Sequence, residues 1–160
     1  MSEIAMLKYH INAGGIIALP DYVDKEIQER IQQGTLIGAD LRRKNLRGVW
    51  LAGINLEGAD LSGADLEFVV LSNARLHKCN LEKANLKRAN LIGADLTEAN
   101  LKDADLYYAR LTSANLQKAN LQGANLQRTI LRCADLSYTI LTNARGEPII
   151  DRTKMEGIIS

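Results

Sequence analysis

The chain has 160 residues, of which 46% are apolar, 24% charged and only 4% aromatic. That suits a single domain with an aliphatic core and excludes disordered, collagen-like and membrane-spanning chains. Twenty Lys and Arg against nineteen Asp and Glu leave a formal charge of +1, which advertises no nucleic-acid groove, anionic membrane surface or acidic mimic.

Residues 1–34 read as an N-terminal helical cap. The opening MSEIAMLK lacks the basic start, apolar stretch and cleavage site of a secretory signal, so a cytoplasmic location is expected. Ser2 can begin a helix through about Asn12, with Ile4, Leu7 and Ile11 on one face and Gly14–Gly15 as its stop. The apolar run Ile16–Leu19 is far too short to cross a bilayer. Pro20–Asp21 opens a second predicted helix to about Gln33, in which Val23, Ile27 and Ile31 recur at fourth positions and Gly34 ends the pattern.

From Leu36 to Leu141 every fifth residue is leucine, twenty-two in all. Over positions 39–139, the residue two before each Leu is Ala fourteen times in twenty-one, and the residue directly before it is Asp or Asn fifteen times. The unit is A-(D/N)-L-x-x. On an α-helix a step of five advances about 140°, which scatters the leucines around the axis. In a flat strand an odd step sends successive leucines to opposite faces. All twenty-two are buried together if the backbone turns a corner every five residues around a filled core, which is a solenoid. Asp or Asn before each Leu can then hydrogen-bond backbone at the corner, so these carboxylates read as structural and not as a catalytic row.

Residues 35–145 resemble the pentapeptide repeat family. The resemblance implies a right-handed quadrilateral β-helix with four repeats per coil, an all-β solenoid of about five and a half coils carrying a small N-terminal α-helical cap. At ~4.8 Å between stacked strands the rod is roughly 26 Å tall. Small members built of a helical cap and an uninterrupted rod resemble cyanobacterial pentapeptide repeat proteins, most without an assigned activity.

Departures from the unit carry the remaining information. The Ala position holds Lys44, Val49, Ile54, Val69, Cys79, Thr129 and Thr139. Lys44 conflicts with an inward position, so its coil is expected to open toward solvent or an adjoining helix. Cys79 reads as a small core residue and Cys133 as the one reactive thiol, with neither a disulfide nor a zinc site indicated. Asp or Asn is replaced by Trp50, Val70, Arg75, Arg110, Ile130 and Ile140. With four repeats per coil, Trp50, Val70, Asn90, Arg110 and Ile130 form one ladder, and Gly48, Phe68, Arg88, Tyr108 and Arg128 form its neighbour. The latter is expected to stack as a cation–π column. Beside it Glu67 faces Lys87, and Tyr107 follows. Trp50, Phe68, Val70, Arg88, Tyr107, Tyr108, Arg110, Arg128 and Ile130 are therefore the candidate protein-interaction surface, because aromatic and guanidinium groups anchor binding hot spots. A competing expectation is that an N-terminal helix covers Trp50 and Val70.

At the other end Gly146 and Pro148 break the repeat, and the apolar tail 146–160 is expected to cap the last coil. A monomer is favoured over an end-to-end dimer, an arrangement the resemblance also implies.

No phosphate loop or nucleophile signature accompanies His10 and His77, the two histidines. An enzyme is not expected, nor are a catalytic residue, metal, cofactor, small-molecule substrate or membrane partner. The resemblance also offers a DNA mimic that occupies a topoisomerase. Mimicry needs dense negative charge, whereas residues 35–145 carry fifteen basic and eleven acidic groups. Direct nucleic-acid binding is disfavoured because the basic residues are scattered. The expected role is a non-enzymatic scaffold presenting a surface to an unidentified protein partner.

Overall fold

The computed structural model describes residues 10–11 and 17–160. Two short strands, β1 (His10–Ile11) and β2 (Ile17–Ala18), pair antiparallel with His10 opposite Ala18 and Ile11 opposite Ile17. The helix read from Ser2 through Asn12 therefore does not include His10–Ile11, where β-branched isoleucines on both strands favour pairing; the rest of it lies outside the described residues. The second helix, α1, spans Lys25–Gln32. It starts later than Pro20–Asp21 suggests, because Pro20–Val23 forms a turn closed by the Val23 N–H on the Pro20 carbonyl at 2.9 Å. The Asp24 side chain does not cap α1; its carboxylate pairs with Lys44 instead.

Beyond Gly34 the chain pairs with itself at a fixed interval of twenty residues. Parallel bridges join Thr35 to Asn55, Asp40 to Asp60, Asn45 to Asp65 and Trp50 to Val70, and continue up to the pair Asn125–Arg145. Twenty residues per coil and five per unit give four sides. The first side carries Leu36, Leu56 and their successors, the second Leu41 and Leu61, the third Leu46 and Leu66, the fourth Leu51 and Leu71. Leu36 through Leu121 are 0–1% exposed, and the Ala of each unit is equally enclosed. Each such Leu contributes roughly 1.5–3 kcal/mol by burial. Val23 and Ile27 belong to the same apolar core.

The backbone accounting of one unit explains the repeat. Around Leu81, the Leu N–H bonds the Asn100 carbonyl of the next coil at 2.7 Å, the Lys83 N–H bonds Lys102 at 2.9 Å, and the Asn80 N–H bonds Ala59 of the previous coil at 2.9 Å. The Ala84 N–H closes the corner on the Leu81 carbonyl at 3.0 Å. One donor is left, that of Glu82, and the Asn80 Oδ1 accepts it at 3.2 Å. The Asp or Asn of the motif thus serves the fifth N–H of each unit, as expected of a corner Asx residue.

Every residue two after a motif leucine, from position 38 to 143, has positive φ, between +55° and +69°. This is the third position of a type II turn, which favours glycine. Seven of the twenty-two are Gly; the rest hold a left-handed conformation that costs an L-residue ~1–2 kcal/mol, tolerated because the rungs on either side are fixed.

Polar residues at the Ala position are also satisfied. The hydroxyls of Thr129 and Thr139 each donate to a leucine carbonyl of the preceding coil at 2.8 Å, Leu106 and Leu116, and the Cys79 thiol donates likewise to Leu56 at 2.7 Å. Lys44 resolves its conflict toward the adjoining helix, through Asp24.

Residues 146–160, expected to leave the repeat and cap the last coil, continue the pairing with one residue fewer per coil. Ile149, Lys154 and Ile159 bridge Ile130, Asp135 and Ile140 at an interval of nineteen. The shortening falls near Gly146, whose φ is +99° and where any Cβ would overlap the Gln127 backbone. In this coil Ile150 is 48% and Met155 45% exposed.

Candidate protein-interaction surface

The predicted site residues meet at the corner between the third and fourth sides. Trp50, Val70, Arg110 and Ile130 lie in one bridged ladder with Asn90. Phe68, Arg88, Tyr108 and Arg128 occupy consecutive left-handed corners beside it. Trp50 is 40% and Tyr108 37% exposed, Arg88, Arg110 and Arg128 are exposed, and Phe68, Val70, Tyr107 and Ile130 are half-buried. α1 forms with the first coil a cleft of about 500 Å³ lined in part by Asp24, Glu26, Arg30, Asp40 and Lys44; the first predicted N-terminal helix, the other candidate to cover Trp50 and Val70, lies outside the described residues except for His10–Ile11.

The expected cation–π column divides in two. The Arg47 and Arg88 guanidiniums lie 5.1 and 5.4 Å from the Phe68 ring, and Arg128 lies 5.3 Å from the Tyr108 ring. Tyr108 also meets Tyr107 edge-on at 4.6 Å and accepts a hydrogen bond from Arg128. Those contacts engage its ring, and Arg88 turns to Phe68. The Glu67–Lys87 pairing is likewise replaced: Glu67 binds Arg47, and Lys87 binds Asp105 at 3.1 Å. Each carboxylate or ammonium has taken a neighbour one rung away in the other direction. Arg47 was missed because it sits one position from the Gly48 ladder, on the strand below Phe68.

The Asn45–Asn125 ladder on the third side is consumed internally. Asn85 and Asn125 donate to Asp65 and Asp105 at 2.9 Å, while Asp65 and Asn85 accept the N–H groups of Glu67 and Lys87. The fourth side differs. Asn90 accepts the Ile92 N–H at 3.3 Å, but at Trp50, Val70, Arg110 and Ile130 there is no Asx side chain, and the N–H groups of Ala52, Ser72, Thr112 and Arg132 have no acceptor among the described residues. Arg132, overlooked in the sequence because it follows its leucine instead of preceding it, is exposed on this side.

Among the described residues no group of three His, Cys, Asp or Glu side chains could hold a metal ion, and no helix is long and apolar enough to cross a membrane. Burial pushes the Cys79 thiol up to about 12, so the thiolate is suppressed there, whereas Cys133 is exposed.

The family model for pentapeptide repeats matches residues 39–77, 70–107, 79–117 and 109–145, together about two-thirds of the chain. The chain belongs to the pentapeptide repeat family. Its members' right-handed quadrilateral β-helix accounts for the four bridged sides. Similar solved structures include a pentapeptide repeat protein from the cyanobacterium Cyanothece 51142, 27% identical over 82% of this chain and 95% of that one, with a TM-score of 0.48. Another, from Nostoc Pcc 7120, is 30% identical over 87% of this chain and 100% of that one, with a TM-score of 0.40. A third, from the Arabidopsis thaliana thylakoid lumen, is 25% identical over 73% and 72% of the two chains, with a TM-score of 0.36. No curated protein matches the sequence.

Proposed function

We propose that this pentapeptide repeat protein is a non-enzymatic, cytoplasmic, monomeric scaffold that presents the corner between its third and fourth sides to another protein. The leucine units build about five and a half coils, and residues 1–34 cap their first end. The burial of Val23 and Ile27 among the leucines supports the cap. The observation that carries the functional reading is the exposure of Trp50 and Tyr108 beside Arg88, Arg110 and Arg128 on a rod whose other polar ladders are occupied by their own hydrogen bonds. Large aromatic and guanidinium groups give more contact energy per residue than any others at interfaces. The excess of basic over acidic groups in residues 35–145 runs against DNA mimicry.

A photo-crosslinking residue placed at Ser113, at the corner after the fourth side, is compared with one at Lys118, at the corner after the first. The scaffold reading expects one defined protein captured from position 113, missing from position 118, and lost when Phe68→Ala and Tyr108→Ala are combined. Identical capture from both positions would refute it.

A further inference from the structure

The fourth side has given up what the other three keep. Four of its five corner Asx positions are Trp50, Val70, Arg110 and Ile130, and with them go four Asx hydrogen bonds. Elsewhere in the repeat such a replacement occurs at Arg75, Ile140 and Thr35 alone, and the Thr35 hydroxyl still accepts the Ile37 N–H. The leucine beneath each rung is as buried as on any other side, 0–1% for Leu51, Leu71 and Leu111, so the replacements do not improve the packing of the core. A sequence that breaks its own rule on one side, at a structural cost, is shaped there by something outside the fold.

The charges segregate in the same way. None of the eleven carboxylates of residues 35–145 lies in the five fourth-side units, whose outward residues include Trp50, Val70, Ile92, Ile130, Arg110 and Arg132. On the other sides carboxylates are interspersed and several cations are paired, among them Arg42 with Asp40, Arg47 with Glu67, Lys78 with Glu98 and Lys87 with Asp105, while Arg43, Lys102, Lys118 and Arg145 make no ion pair among the described residues. Arg110 and Arg132 have no ion pair among the described residues, and Arg88 and Arg128 at the adjoining corner make aromatic contacts in place of ionic ones. Asp151 of the last coil, whose carbonyl accepts the Cys133 N–H, is the first acid along this side, and it forms no ion pair with Arg132. The face is thus rich in donors, four open N–H groups and two or more guanidiniums, poor in acceptors, and apolar between them.

We infer that the fourth side docks an acidic, partly apolar segment of a protein partner, whose carboxylates engage Arg110 and Arg132 and whose backbone or side-chain oxygens take the N–H groups of Ala52, Ser72, Thr112 and Arg132. The inference rests on the scaffold reading above and names its partner's chemistry. Charge complementarity fixes the sign. The apolar strip of Val70, Ile92 and Ile130 selects a polypeptide over a nucleic acid, which would need phosphate contacts along a continuous basic groove.

The test is selection of random dodecapeptides displayed on phage against the immobilised full chain, with binding located on the ¹⁵N-labelled protein by amide shifts. Expected are peptides with more Asp and Glu than Lys and Arg that shift the amides of Ala52, Ser72, Thr112 and Arg132. Their affinity should fall about tenfold or more on combining Arg110→Glu with Arg132→Glu, fall again with added salt on the wild type, and stay unchanged on combining Lys83→Glu with Lys118→Glu. The salt series needs no variant and stands even if the arginine pair fails to fold. Selected peptides that lack acidic residues but shift those amides would overturn the acidic partner and leave the scaffold surface standing. Peptides that shift other sides, or no selected peptide, would overturn both. A short DNA duplex that binds through the same arginines would overturn the protein occupant.

Discussion

Arg110→Asn should stabilise the rod, and the size of the gain follows from the hydrogen bonds of one unit. The backbone at Arg110 is held already, its N–H on the Ala89 carbonyl at 2.9 Å and its carbonyl receiving the Leu91 N–H at 2.8 Å, while its side chain is exposed and in no ion pair among the described residues. An Asn there would place Oδ1 as Asn115 does, which accepts the Gln117 N–H at 3.1 Å, and so supply the missing acceptor for Thr112. One neutral hydrogen bond to a donor otherwise left to water contributes ~1 kcal/mol, and in a chain of this size that raises the melting temperature by ~2–4 °C. The mirror variant, Asn115→Ala, should lose about as much. Thermal and urea unfolding followed by circular dichroism measure both. A midpoint for Arg110→Asn at or below wild type, with Asn115→Ala lowered as expected, would refute the claim that the fourth side has forgone stability. If neither variant moves, the Asx bond contributes nothing and the argument for an external constraint on this side falls with it.

Three further outcomes follow from the corners, the thiols and the last coil. Gly58→Ala meets nothing within 4 Å at φ +65°, so it should cost only the left-handed penalty of ~1–2 kcal/mol; Gly146→Ala, which overlaps the Gln127 backbone, should instead release the last coil, read as faster amide exchange at Ile149, Lys154 and Ile159 with residues 35–125 unchanged. A thiol-reactive reagent should label one cysteine per native chain, Cys133, because desolvation raises the buried Cys79 thiol to about 12, and two on unfolding; rapid double labelling of the native chain would contradict its enclosure. The Ser137 hydroxyl, then Gln117 and Lys154, hold the Asp135 carboxyl well below the usual carboxylate range. A depressed folded pKa means a contribution fully present above the unfolded value near 3.9 and lost as pH falls through the folded value. The melting-temperature gap between wild type and Asp135→Asn should therefore be largest above about pH 5 and close on acidification, and a gap independent of pH would contradict it.

The five-residue period was legible because leucine at every corner has one physical solution, a backbone that bends toward a common axis. The Asx role was legible for the same reason, since a turning chain strands an N–H at each corner. The left-handed corners were written in the sequence as well, in Gly38, Gly48, Gly53, Gly58, Gly63, Gly93 and Gly123 at one repeat position, but most of that column is occupied by Lys, Arg, Asn and Tyr, whose strain is carried by the rungs and leaves no local signature. Sequence periodicity misses whatever depends on a change of period: Gly146 removes one residue from the last coil, and the pattern that located every earlier leucine gives no place to Ile150 or Met155. It also misses choices between equivalent neighbours. Arg88 has an aromatic ring one rung to either side, Phe68 and Tyr108, and the ladder alone cannot say which it takes; the edge-on contact of Tyr107 and the hydrogen bond from Arg128 decide the matter at Tyr108.

The fourth side shows why such exceptions carry functional information in a solenoid. In an ordinary globular fold, replacing one corner Asn by Val or Arg would be absorbed by rearranged packing around it, and its cost would be hard to separate from that packing. In this rod each unit has five N–H groups with fixed destinations, so a replacement leaves one donor open and changes little else. Repeat folds also sum their stability over neighbouring units, which lets one side lose four such bonds while the leucines within it stay fully buried. The loss is therefore sustainable, and it is concentrated where aromatic, guanidinium and aliphatic groups share a surface without carboxylates.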